Sequence, residues 1–316
     1  MNDQLTDAAS TLTWDCIVVG GAAAGLSAAL MLGRARRRTL VIDAGAPSNL
    51  HTHGIGGLLG HDGRPPSELY EQGRKELQQY PTVEVRPGLV TAGATESSPG
   101  SHFRVTLADG SVEHGRTVLL ATGADYRYPD IDGIAERWGV SVFHCPFCHG
   151  WEVRDLPLGV LDNGPTGFTR AQMLTYWTGD VTLYTNGAST LDEEHTERLA
   201  SLGVTIEERN VATLAGEGTA LDAVVLDDGT HRTCSGLLAA VALHQRSGLA
   251  EQFGAELNAM GPVAPEAIQV DPMFQTNVPG LFSAGDASTA MPSIAGAIAA
   301  GSTAAAMIVH FLLARS

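Results

Sequence analysis

A short apolar run, Cys16-Ile-Val-Val, passes directly into Gly20-Gly-Ala-Ala-Ala-Gly25 and then into the helix-like stretch Leu26-Ser-Ala-Ala-Leu-Met-Leu. Few junctions restrict a chain as strongly. Glycines at a strand-to-helix turn let the backbone approach a phosphate, and the helix N-terminus supplies partial positive charge. The next strand, Thr39-Leu-Val-Ile-Asp43, ends on an acid 18 residues after Gly25. A carboxylate there accepts both hydroxyls of an adenosine ribose and disfavours a ribose 2′-phosphate. Ala22 stands where the second fingerprint glycine would be, a small departure that tightens the turn. A glycine turn made only for helix–sheet packing would have no need of the acid.

The same strand–helix–strand order recurs. Leu158-Gly-Val-Leu, a helix over about 167–178 and Val181-Thr-Leu-Tyr-Thr repeat the unit at 15–45. The fold class is therefore α/β, with two Rossmann-like three-layer nucleotide-binding domains. Residues 1–13 read as a loose tail and 44–65 as a loop rich in Gly, His and Pro. Leu69 to Tyr80 and 191–203 read as helices. Strands are predicted at 83–86, 103–107, 117–121 and 204–206, with hairpin turns at Ala108-Asp-Gly and Asp227-Asp-Gly. Turn-rich sequence at 123–133 marks the start of the second unit, and the chain leaves it near 245.

Composition narrows the function. The net charge is −16, and Lys75 is the sole lysine beside 18 arginines. Such a chain is poorly suited to nucleic acid or anionic membranes as main partners, and catalysis by lysine is disfavoured. The N-terminus is acidic without an apolar core region, which argues against a signal peptide and for a cytoplasmic protein. The apolar run from Ile294 to Leu313 is interrupted by Ser302, Thr303 and His310, and reads as a buried helix rather than a membrane span.

Residues 144–152 are His-Cys-Pro-Phe-Cys-His-Gly-Trp-Glu. Two cysteines separated by two residues can close a small disulfide and exchange electrons as a dithiol. His144 and His149 flank the pair, and either could stabilise a thiolate or carry its proton. A metal site is the rival. The histidines are immediate neighbours of the cysteines, which makes a compact four-ligand site awkward, and there is no second CxxC. Cys16 and Cys234 read as structural thiols. Asp286, after Gly285, could cap a helix or hold a cofactor hydroxyl.

These features in this order resemble the thioredoxin reductase-like flavoproteins: the turn Gly20–Gly25, the strand end Ala121-Thr-Gly123, Cys145-Pro-Phe-Cys148 and Gly285-Asp286. The resemblance spans essentially Asp15 to Ile308. It implies an FAD domain built from 1–125 and 245–316, interrupted by a central CxxC-bearing NAD(P)-binding-like domain at 126–244, and a homodimer. It implies that Gly20, Gly21, Ala22, Ala24, Gly25, Asp43, Gly123, Gly285, Asp286, Ile294 and Ala295 serve FAD. It implies that Cys148 faces the flavin while Cys145 attacks the substrate. The loop holding Asn49, His53, Gly60 and Asp62 would run beside the isoalloxazine ring or substrate, with a solvent-facing loop as the alternative. Trp138, Phe143, Phe147 and Trp151 would either line a substrate pocket or pack in the core.

Two departures shape the expected activity. An NADPH-dependent thioredoxin reductase has an acid after the second cysteine, where this chain has His149. The His144–Gly150 context is similar to dithiol oxidases of the gliotoxin and holomycin type, and to members that use ferredoxin or a second flavin. The central turn reads Asp162-Asn-Gly-Pro-Thr-Gly167, with Asp162 where an NADPH-binding version has glycine. No arginine or lysine follows the next strand before Arg198 to meet a 2′-phosphate. The leading expectation is an FAD-dependent thiol–disulfide oxidoreductase independent of NADPH, such as a dithiol oxidase using oxygen. The alternatives are a thioredoxin reductase using NADPH, or a disulfide reductase linked to ferredoxin or a second flavin. The substrate would be a small dithiol or a thioredoxin-like protein, with no metal. The CxxC argues against a purely sensory flavoprotein.

Overall fold

The computed structural model describes residues 13–98 and 101–315. The predicted loose tail lies outside these residues except for Thr13. The chain divides into two compact units, one of Met1–Pro47, Tyr70–Asp125 and Leu243–Ser316, the other of Ser48–Leu69 and Tyr126–Ala242. The loop 48–69, which the sequence reading groups with the first segment, clusters with the central unit.

The first unit is built on a seven-stranded sheet. Val83–Pro87, Thr39–Asp43, Trp14–Val19 and Val112–Leu120 follow one another in space, and Leu281–Ser283 also pairs with Val112–Leu120. All these pairings are parallel. Two antiparallel strands, Ser101–Leu107 and Val90–Ser98, extend the far edge. The sequence reading missed the last of these, whose sequence VTAGATESS is too polar to alternate clearly.

Side chains alternate across a strand, so a sheet covered on both faces needs apolar residues at every position. Trp14–Val19 meets this condition. Cys16 and Val18 enter one core with the helix Ala23–Arg34, and Ile17 and Val19 enter the opposite core with Phe103 and Phe253. The C-terminal helix, Ile294–Leu313, packs in the first of these cores. Its buried positions are Ala297, Ala300, Gly301, Ala304, Ala305, Ile308 and Leu312, the stripe expected of a helix laid on a core. It is long and apolar enough to cross a membrane by length and composition alone. Gly301 lies against the Ala24 backbone, where a Cβ would collide with the Ala24 carbonyl, so the two helices meet closely there.

The central unit repeats the plan at smaller scale. Thr205–Glu207, Val181–Tyr184, Leu158–Leu161, Gly236–Ala239 and Val142–Phe143 form a parallel five-stranded sheet. Its crossover helix, Gly164–Leu174, starts three residues before the predicted 167, because Asn163 caps it. A three-stranded antiparallel layer of Val211–Ala215, Ala223–Leu226 and His231–Thr233 completes the unit. Two Rossmann-like α/β units are therefore present, as the repeated strand–helix–strand pattern indicates.

Candidate active site

Cys145 and Cys148 are joined in a disulfide with Cα atoms 5.3 Å apart. Local sequence explains the geometry. Cys145 is the extended residue before a single helical turn, Pro146–His149, and Pro146 occupies the first turn, where no N–H is required. The turn brings Cys148 N–H to the Cys145 carbonyl at 3.2 Å and Gly150 N–H to the Pro146 carbonyl at 2.7 Å. The loop of residues 48–69 supports it from outside. Gly56 sits against Cys148 so closely that a Cβ would overlap the Cys148 carbonyl.

The two histidines differ. His144 is packed between the rings of Tyr126, at 4.9 Å, and Trp138, at 6.0 Å. Burial first, then the positive charges of His149 and Arg170, push its pKa down to about 4. His149 stacks on Phe143 at 5.4 Å with rings nearly parallel. Its Nε2 donates to the Gly139 carbonyl at 3.1 Å, which fixes the proton on that nitrogen. Nδ1 is then a buried lone pair without a hydrogen-bond partner among the described residues. Burial lowers the His149 pKa, while the Gly139 and Cys145 carbonyls oppose the shift. This imidazole is neutral near pH 7 and has a nitrogen free to take a proton.

Of the four aromatics singled out in the sequence, Phe143 belongs to the core and Trp138 is half-buried against Tyr128. Phe147 and Trp151 are 72% and 65% exposed beside the disulfide. Arg154 stacks over Trp151 at 3.8 Å. Asn49, His53, Gly60 and Asp62 all fall in the central unit with the disulfide. Asp62 accepts from Gly57 N–H at 2.8 Å and so shapes the loop. Cys16 and Cys234 are buried, and burial raises both thiols to about 12, which makes them inert. Among the described residues no group of three or more His, Cys, Asp or Glu is placed to hold a metal.

In the first unit the carboxyl ends of the parallel strands converge. Gly20 packs on the Ala121 carbonyl, and Gly21 faces the Asp43 carboxylate; a Cβ at either would collide. Gly25 is equally tight against the Gly20 carbonyl. Gly285, at φ +84°, packs beside Ala24 and Ala297. Ile294 and Ala295 open the C-terminal helix, which Ser293 caps by accepting from Gly296 N–H at 3.1 Å. The helix after the glycine turn has Ala22 at its N-cap and no side-chain cap, so its first N–H groups are open to an anion. A glycine-lined cradle, a bare helix N-terminus and an acid at the next strand end fit the diphosphate and ribose of FAD.

The corresponding turn in the central unit is closed. Asn163 Oδ1 accepts from Gly164 N–H at 2.8 Å and Thr190 N–H at 2.9 Å. Its Nδ2 donates to the carbonyls of Ala188, at 2.9 Å, and Thr185, at 3.3 Å. Asp162 accepts from Asn163 N–H at 2.8 Å and is ion-paired with Arg170. The loop after the second strand is pinned by Glu208, which accepts from Ser189 N–H at 2.7 Å. The roles of Gly56, Gly139 and Arg170 went unread in the sequence. A positive charge eight residues after Asp162 was the one available signal.

Two Rossmann-like units, one of them carrying a dithiol–disulfide pair, define a flavin-dependent disulfide oxidoreductase. Residues 14–301 match the family model for pyridine nucleotide-disulphide oxidoreductases, and the chain belongs to that family. Its relatives include thioredoxin reductase tcpT of Claviceps purpurea, 31% identical over 95% of this chain and 94% of the relative. Thioredoxin reductase aclD of Aspergillus oryzae is 32% identical, over 95% of this chain and 96% of its own. The crystal structure of an oxidoreductase from Agrobacterium tumefaciens matches with a TM-score of 0.90 at 35% identity, covering 96% of this chain and 100% of that one. The protein is thioredoxin reductase-like, uses FAD, and has Cys145–Cys148 as its redox-active disulfide.

Proposed function

We propose that this enzyme oxidises a small dithiol by exchange with Cys145–Cys148 and passes the electron pair to FAD without NADPH, oxygen being the final acceptor. Gly20, Gly21, Ala22, Ala24, Gly25, Asp43, Gly123, Gly285, Asp286, Ile294 and Ala295 would hold FAD. Bound FAD supplies a two-electron acceptor. His149 takes the proton of the entering thiol on Nδ1, and the resulting imidazolium donates to the Gly139 carbonyl and faces that of Cys145. The thiolate attacks Cys145, and Cys148 leaves as thiolate. The second substrate thiol, its proton taken by the Cys148 thiolate, then attacks the substrate sulfur of the mixed disulfide, releasing substrate disulfide and Cys145 thiolate. Bound FAD would accept the electron pair released as the Cys145–Cys148 disulfide re-forms. Oxygen reduced by two electrons leaves as hydrogen peroxide.

The single observation that carries the NADPH-independent part of this reading is the closed central turn. Dinucleotides bind where helix N–H groups are free, and Asn163 already occupies the first of them. The charge of Asp162 is offset by Arg170. Asn163 is therefore the stronger obstacle.

The names of the relatives favour a second reading, a thioredoxin reductase working in the opposite direction on a disulfide partner. One anaerobic stopped-flow experiment separates the two. Bleaching of the 450 nm flavin band by a dithiol such as dithiothreitol, with reoxidation by air and no response to NADPH, supports the oxidase. Rapid bleaching by NADPH overturns it in favour of the reductase. A flavin silent to both points to a ferredoxin or second-flavin donor.

A further inference from the structure

Among the arginines of the first unit that the chemistry above does not use, Arg246 stands at the glycine turn. Arg246 is exposed, and its guanidinium has no carboxylate partner among the described residues. Its Nη1 donates to the Ala46 carbonyl at 2.6 Å. Its Cδ lies 4.0 Å from where a Cβ of Gly123 would be. Ala46 follows the strand Thr39–Asp43, and Gly123 follows Val112–Leu120. In the sheet these two strands flank Trp14–Val19 on opposite sides. The Arg246 side chain thus spans the carboxyl end of Trp14–Val19, the point at which the glycine turn begins.

The backbone that carries it is anchored. Gln245 Nε2 donates to the carbonyls of Glu266, at 2.7 Å, and Ala287, at 2.9 Å. Ala287 lies in the Gly285–Asp286 turn. Adjacent residues therefore tie together two segments of the cradle, Gln245 at the Gly285–Asp286 turn and Arg246 at the loop after Asp43. From Gly20 the first basic residue is Arg34, at the far end of the helix, and Arg74 is engaged 3.5 Å from Asp43. In a chain of net charge −16, a positive group beside the turn adds to the attraction that the helix N-terminus supplies to a diphosphate.

We propose that Arg246 is a retaining strap for FAD. One guanidinium N–H holds the Ala46 carbonyl, and the remaining N–H groups face the phosphate oxygens of FAD seated at Gly20–Gly25. This rests on the assignment of that turn to FAD.

The test measures FAD retention. Holoprotein is diluted and release followed by the rise in flavin fluorescence, at low and high salt, for wild type, Arg246→Ala, Arg246→Gln and Arg246→Lys. The strap predicts release about ten- to a hundredfold faster for Arg246→Ala. Arg246→Gln, which keeps a donor for Ala46 without charge, releases nearly as fast, and Arg246→Lys recovers part of the loss. Salt speeds release from wild type and has little effect on Arg246→Ala. Thermal melting of the apo-forms checks that the substitutions leave the fold alone. Wild-type rates for Arg246→Ala and Arg246→Gln at both salt concentrations overturn the strap. Recovery of retention by Arg246→Gln to the wild-type level would reduce Arg246 to a backbone tie. A wild-type chain that loads no FAD, or one that loads it undiminished after Gly21→Asp, overturns the assignment beneath it.

Discussion

Gly56 and Cys148 are in backbone contact: the space a Cβ at position 56 would fill is already taken by the Cys148 carbonyl. Gly56→Ala must displace one of the two segments. Overpacking of this kind costs about 1–3 kcal/mol, and the displaced segment carries the reactive sulfur. Urea denaturation should show that loss, and flavin bleaching by dithiothreitol should slow. Gly179→Ala is the control. It has open space around it, and its stability should stay within about 0.5 kcal/mol of wild type.

His149 is expected to set the pH response of thiol exchange. With its Nε2 proton committed to Gly139, only Nδ1 can accept, and burial keeps it empty to lower pH than for a free imidazole. Bleaching rates in wild type should hold through the ordinary imidazole range and fall only below it, as this nitrogen fills. His149→Gln should lower the rate by about a hundredfold and remove that limb of the profile. The Cys145–Cys148 disulfide should still form, which thiol titration reports. An unchanged profile would reassign the proton to His144 or to solvent.

His144 makes the fold sensitive to acid. Its folded pKa is about 4 against 6.5 for the unfolded chain. Between those values the unfolded state binds the proton and the folded state does not. Its contribution is therefore fully present above pH ~6.5 and is lost as pH falls to ~4. The loss approaches about 3 kcal/mol. The lowered pKa of His149 acts in the same direction. Denaturation midpoints across this range should fall less steeply for His144→Phe, which has no proton to gain.

Asn163→Ala should destabilise the chain beyond the ~1 kcal/mol of a lost helix cap. It also strands Thr190 N–H and the carbonyls of Thr185 and Ala188. Asn163→Asp keeps the acceptor oxygens and should fall between alanine and wild type in chemical denaturation.

The two strand–helix–strand units were legible because their signals are local: apolar alternation, a glycine turn, an acid at the next strand end. The disulfide was legible for the same reason, its members standing three apart. The supports of the site were not. Arg246 meets Ala46 across 200 residues of sequence. Gly56 meets Cys148 through a loop that the family resemblance places beside the flavin, with nothing in its own residues to mark it as the support of a disulfide. Asp162 was visible as a charge in a turn that should lack one. Its neutralisation by Arg170 depends on where the helix begins, and the cap that sets this start, Asn163, has a role that only the folded loop 185–190 reveals.

The unlike ends of the two crossover helices have a consequence for how the chain matures in the cell. The central unit satisfies its own helix end through the Asn163 network, so that end needs no ligand to complete it. The first unit leaves its helix end bare, and that end is complete only once a cofactor derived from riboflavin has arrived. Vitamin supply should therefore bear on one half of this enzyme's lifetime and not the other, with proteolytic cuts in flavin-starved cells falling first in the half that carries Gly20–Gly25.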